Sequence, residues 1–159
     1  VPIVVNSGPL ISLARIGRLD LLPELFGEIT VPAAVYQEVT RDESLPGAGT
    51  LTEAGWLRVL EVSDRAMVDQ LSFWLDRGES EVLTLARELG TAAAIDERRG
   101  RNIAVSLGIP QTGTVGILLA AKRARVIPSV KPLLDQLIAS GVRLSVRLYE
   151  EALRIAEEE

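Results

Sequence analysis

Two kinds of apolar run alternate along the chain. The first is short and unbroken. Ile3 to Val5 and Thr91 to Ile95 are too short for helices and lack polar alternation, which suits strands covered on both faces. Glu28 to Val31 reads as a third such strand, and Leu57 to Val62 alternates as a strand nearer an edge does. A short strand is expected near Pro110 to Thr112. The second kind recurs at helical spacing, as in Val82, Leu83, Leu85, Ala86 and Leu89, a helix that Gly90 stops. Leu10 to Ile16, Leu19 to Phe26, and a helix opened by Pro32 and carrying Val35, Tyr36 and Val39 share that spacing. So do Asp64 to Asp76, a helix from Asp96 or Glu97 to Gly108, and the strongly apolar Val115 to Ala124. Ser129 to Ser140 and Ser145 to Glu158 are two terminal helices, the last amphipathic. Residues 41–56 are rich in charge, Pro and Gly, so a loop with a short helix at about Ala48 to Ala54 is expected.

Strands alternating with helices argue for an α/β sandwich with a mainly parallel sheet and right-handed crossovers. At 159 residues with 47% apolar content, the chain is expected to form one domain, residues 129–159 packing on it as C-terminal helices. No segment has the roughly 20 apolar residues that span a bilayer, and VPIVVNSGPL lacks the basic head of a signal peptide, so a soluble cytoplasmic protein is expected.

Composition narrows the chemistry. With no Cys and no His, thiolate and imidazole sites are excluded, and with them the commonest hydrolase triads. Carboxylates, amides, hydroxyls, Lys, Arg and Tyr remain, and carboxylates with hydroxyls and water suit the hard cations Mg²⁺ and Mn²⁺. A net charge of −5 gives no general phosphate-binding signature, but an active site that holds metal ions must itself be acidic.

Four positions stand out. Asn6 and Asp96 each follow an apolar strand directly, where parallel α/β sheets bind ligands. Glu79 begins a helix after Gly78, and Glu38 ends one. Converging, they would form an acidic pocket for a cation. Each also has a local alternative. Asn6 or Ser7 can cap the helix at Pro9, Glu79 suits any first helical turn, Glu38 can pair with Arg41, and Asp96 is an ordinary N-cap. The run Arg98, Arg99 and Arg101 reads as a solvated face or as a grip on a polyanion.

The stretches IVVNSGPLISLARIGRLDLL, ITVPAAVYQEV, GESEVLTLARELG, AIDERRGR and TGTVGILLAAKR, in this order, resemble the PIN-domain family, in a branch similar to the VapC-type toxin ribonucleases. The tail SVKPLLDQLIASGVRLSVRLYEEAL is also typical of that branch. The resemblance implies a Rossmann-like three-layer α/β/α fold and a Mg²⁺- or Mn²⁺-dependent RNA endonuclease, often the toxin of a toxin–antitoxin pair. It places the family's four acidic positions on Asn6, Glu38, Glu79 and Asp96, with Glu81, Glu97 and Thr114 as secondary candidates. Asn6 departs from the usual aspartate, leaving three formal charges where the family's site has four and favouring one metal over two.

Three functional readings follow. The first is an RNA endonuclease in which Glu38, Glu79 and Asp96 bind metal, Asn6 orients water or fills one coordination position, and Arg98, Arg99 or Arg101 holds RNA. The second is a weak or inactive PIN-like interaction module. The third is another α/β protein, such as a phosphate-accepting receiver or a nucleotide binder, although GxGxxG and GxxxxGK[ST] are both absent. Expected partners are RNA, an antitoxin protein and a second copy of the chain. The last expectation rests on Val115, Leu118, Leu119 and Ala120, which make the helix after Thr114 apolar on most sides.

Overall fold

The first strand sits at the centre of the sheet. In β1 (Ile3–Val5) every residue is buried, as an unbroken apolar run requires. On one side it pairs with β2 (Ile29–Pro32), also buried throughout, and β2 pairs with β3 (Leu57–Leu60), half-exposed at the edge. On the other side β1 pairs with β4 (Ala92–Ala94), which pairs with β5 (Gln111–Thr112). All four pairings are parallel, in the order β3-β2-β1-β4-β5. The computed structural model describes residues 2–159.

Helices flank this sheet in a three-layer α/β/α arrangement: α1 (Ser7–Arg15), α2 (Leu21–Phe26), α3 (Ala33–Thr40), α4 (Ala48–Glu53), α5 (Arg65–Leu71), α6 (Arg77–Leu89), α7 (Arg98–Ser106) and α8 (Thr114–Arg123). The chain winds outward from β1 to β3, then returns through α5 and α6 to β4 on the opposite side of β1. The strand order therefore reverses between β1 and β4. A crevice opens at the carboxyl ends of strands at such a point. Asn6 and Asp96 lie there: the Asn6 N–H donates to the Ala94 carbonyl at 3.0 Å.

Helix boundaries differ from the sequence expectation at several places, two of them beside the carboxyl edge of the sheet. The first helix begins at Ser7 rather than Leu10, because Pro9 lies in the first turn, where no intrahelical N–H is needed. The fifth ends at Leu71 rather than Asp76. There the Ser72 hydroxyl donates back to the Val68 carbonyl at 2.7 Å, and Asp76 becomes the N-cap of α6.

The tail forms α9 (Lys131–Ala139) and α10 (Val146–Ile155). Val130, Leu134, Leu137, Ala152 and Leu153 join the same buried core as Ile117, Leu118 and Ala121 of α8. Of the apolar face of α8 that the sequence offers to a second copy, Leu118 is buried within the chain, whereas Val115, Leu119 and Ala120 are half-buried. Among the described residues, no helix is long and apolar enough to cross a membrane.

Candidate metal and nucleic-acid site

Asn6 continues β1 and starts α1 in extended backbone, φ −83° and ψ 169°. It occupies the N-cap position, yet its side chain makes no capping bond. Only 7% of the residue is exposed, and Oδ1 is buried with no hydrogen-bond partner among the described residues. A buried amide oxygen left unpaired costs free energy and calls for an explanation.

Asp96 follows β4 and stands between two helix starts. Its Oδ1 accepts from the Thr114 N–H at 2.7 Å, and its Oδ2 accepts from the Thr114 hydroxyl at 2.8 Å. It caps α8 across space rather than the helix that follows it; Glu97 takes the N-cap position of α7, without a side-chain capping bond. A methyl group at Gly113 would come within 2.8 Å of Asp96 Oδ1, and one at Gly8 within 3.3 Å of Oδ2. Glycine at both positions leaves this carboxylate room against two backbones.

Glu79 is buried and forms a capping box with Asp76. Its N–H donates to Asp76 Oδ1 at 2.8 Å, while its Oε2 accepts from the Asp76 N–H at 3.2 Å. Burial pushes the Glu79 carboxyl above its ordinary range; the Asp76 N–H opposes this, and the charges of Asp76 and Glu97 add to it. A methyl group at Gly78 would lie 3.5 Å from Asn6 Oδ1 and 3.6 Å from Asp76 Oδ1, and one at Gly100 would lie 3.6 Å from Glu79 Oε1. Asn6, Asp76, Glu79 and Asp96 thus gather around helix starts in which glycine keeps the backbone close.

Glu81 and Arg99 part from this group. Glu38 is exposed on α3 and forms no ion pair with Arg41; among the described residues it has no side-chain hydrogen bond. Glu81, 1% exposed, pairs with Arg77 at 2.9 Å and Arg65 at 3.5 Å. It borders a hollow lined by Ala33, Gln37 and Glu61, on another side of α6 from Glu79. Arg99 also turns away, donating to the Trp74 carbonyl at 3.3 Å. Arg98 and Arg101 line a hollow with Asp96, joined by Arg147 from α10, which the sequence did not single out.

A family profile described as a PIN domain matches residues 2–158. The chain belongs to the PIN-domain family. Among curated proteins, none matches it.

In this PIN domain, Asp76 is the site-adjacent acid that sequence reasoning missed. Its signal was present as an Asp three residues before a Glu, the pattern of a helix start. The donors gathered near Asn6 are all oxygens, which suits a hard cation, and the unpartnered Asn6 Oδ1 is the acceptor such a cation would satisfy. Among the described residues, however, no three carboxylates stand grouped to hold a metal ion as they lie. The arrangement fits Mg²⁺ better than a preformed all-protein cage, because Mg²⁺ is commonly held through one or two carboxylates and keeps several waters.

Proposed function

We propose that this PIN domain is a metal-dependent RNA endonuclease, similar to the VapC-type toxins of toxin–antitoxin pairs. The observation that carries the reading is the buried, unpartnered Oδ1 of Asn6, which faces Gly78 at the start of α6, the turn that carries Asp76 and Glu79, at the carboxyl end of the sheet where the strand order reverses. Mg²⁺ or Mn²⁺ bound there would activate water and offset the charge of a phosphodiester. Glu79 and Asp96 hold the ion, Asn6 supplies a neutral oxygen, and Glu38 serves from the exposed end of α3. Thr114 fixes both oxygens of Asp96, while Glu97 adds negative charge nearby. Arg98 and Arg101 draw the RNA backbone in. A cytoplasmic location, an antitoxin partner and a homodimer complete the proposal.

A second reading, an inactive PIN module kept for protein partnership, is favoured by the uncharged Asn6 and the absence of a carboxylate trio among the described residues. Calorimetric titration with Mn²⁺, paired with RNA cleavage by the wild type and by Asp96→Asn, separates the two. The endonuclease reading expects Mn²⁺ binding and cleavage that Asp96→Asn abolishes. Binding with intact RNA supports the second reading, and no binding removes the metal site.

A further inference from the structure

We propose that the hollow on the far side of Asp96 from Asn6 is a nucleobase pocket, which seats the base of the nucleotide next to the scissile phosphate. The inference rests on the endonuclease reading above. The hollow has a volume of about 440 Å³, within the size range of small-ligand sites. It lies between the turn from β5 into α8 and the segment that enters α10, with Leu119, Leu137 and Leu148 giving it apolar walls. Asp96, Arg101 and Leu148 also line the hollow that holds Arg98 and Arg147, so the two spaces are contiguous.

Three features select a nucleotide over other occupants. First, Arg101 and Arg143 both line the hollow, and neither has a carboxylate within 4.0 Å among the described residues. Two free guanidinium groups beside an apolar space suit a ligand that joins a flat ring to phosphate, and a guanidinium plane can itself stack on a base. Second, Gln111 offers polar recognition. The Pro110 and Thr112 carbonyls accept from Ala93 and Ile95 at 2.9 and 2.8 Å, so the Gln111 carbonyl between them faces away from β4. As β5 is an edge strand, that main-chain group remains at the open side of the sheet, beside a side-chain amide able both to donate and to accept. Third, β5 has only two residues, too few for an added peptide strand to build a useful ladder.

The test uses the intact protein in EDTA, so that bound RNA is not cut. Fluorescence anisotropy measures the affinity for a single-stranded RNA of about ten nucleotides and for copies lacking one base at each position in turn. The expected result is one position at which removing the base weakens binding about tenfold while the others change little. Leu148 is 39% exposed, so Leu148→Trp fills the mouth without opening the core; it should bind the intact RNA about tenfold more weakly and lose that position-specific penalty. Gln111→Ala, which adds no bulk, should narrow the difference among the four bases at the same position. If the wild type binds RNA with no position-specific penalty, or Leu148→Trp keeps the penalty, the pocket assignment is overturned and the endonuclease reading stands. Failure of the folded wild type to bind RNA at all overturns the pocket assignment, and the endonuclease reading then stands or falls on the cleavage assay with Mn²⁺.

Discussion

A buried amide oxygen without a donor is a liability in an apo protein and an asset only if something fills the space beside it. That contrast makes Asn6 the most informative single residue in this PIN domain. Asn6→Asp would place a charge at the same buried position, near Asp76. Without metal the variant should lose about 1–3 kcal/mol of stability. With Mn²⁺ the loss should reverse, and affinity should rise because an anionic oxygen is the better ligand for a hard cation. Thermal unfolding with and without Mn²⁺, together with calorimetry, measures both; no tighter binding would place Asn6 outside the metal shell. Glu79 gives a second expectation. Its folded carboxyl holds its proton above the ordinary value of 4.5, so folding is favoured below that value and progressively penalised as pH rises through the folded one. Glu79→Gln keeps an acceptor for the capping box but removes the titration. Its stability relative to wild type should therefore increase from acid toward neutral pH, as urea denaturation at several pH values would show. Asn6 and Asp96 were legible because each directly follows an apolar run. The separation of Glu79 from Glu81, and of Arg99 from Arg98 and Arg101, follows from helical geometry: residues one or two apart do not share a face, while residues three apart do.

At the scale of elements, the strands were the clearest feature of the sequence, because a short β-branched or small apolar run has few ways to be buried except in a parallel sheet. Helix edges were less legible. The stretch from Asp64 to Asp76 reads as one helix because its apolar residues keep helical spacing, yet the chain breaks after Leu71 and restarts at Asp76. The capping box decides that restart, and Asp76→Ala should cost about 1 kcal/mol in chemical denaturation. A cost indistinguishable from zero would mean that packing alone fixes the start of α6. The glycines were not legible as site elements. That Gly113 leaves only 2.8 Å between a would-be methyl group and Asp96 Oδ1 depends on two segments meeting in space, and no local pattern encodes it.

At the scale of the whole molecule, a net charge of −5 conceals a local excess of arginine. Arg98 and Arg101 come from α7, Arg143 and Arg147 from the tail, and all four surround the two hollows that meet at Asp96. Only the docking of the tail brings them together, which is why sequence spacing showed half of the set. Beyond the apolar packing of the tail, one carboxylate fastens its end. Glu158 accepts from the Val130 N–H at 2.8 Å, the Lys131 N–H at 3.0 Å and Lys122 Nζ at 2.9 Å, tying the end of the tail to α8 and to the start of α9. The chain turns back to make these contacts through Glu157, whose φ of 60° costs a non-glycine residue about 1–2 kcal/mol. Burial alone would raise the Glu158 carboxyl, but the three donors outweigh it and hold the group below its ordinary 4.5. A depressed folded value means that the stabilisation is present above 4.5 and is lost as pH falls through the folded value. Glu158→Ala should therefore cost about 2–3 kcal/mol at neutral pH, and the gap from wild type should shrink in acid. Because the tail carries Arg143 and Arg147, the same variant should also weaken RNA binding at neutral pH, although Glu158 lines neither hollow. Unchanged RNA affinity in a measurably destabilised Glu158→Ala protein would show that the arginines are positioned without the clamp.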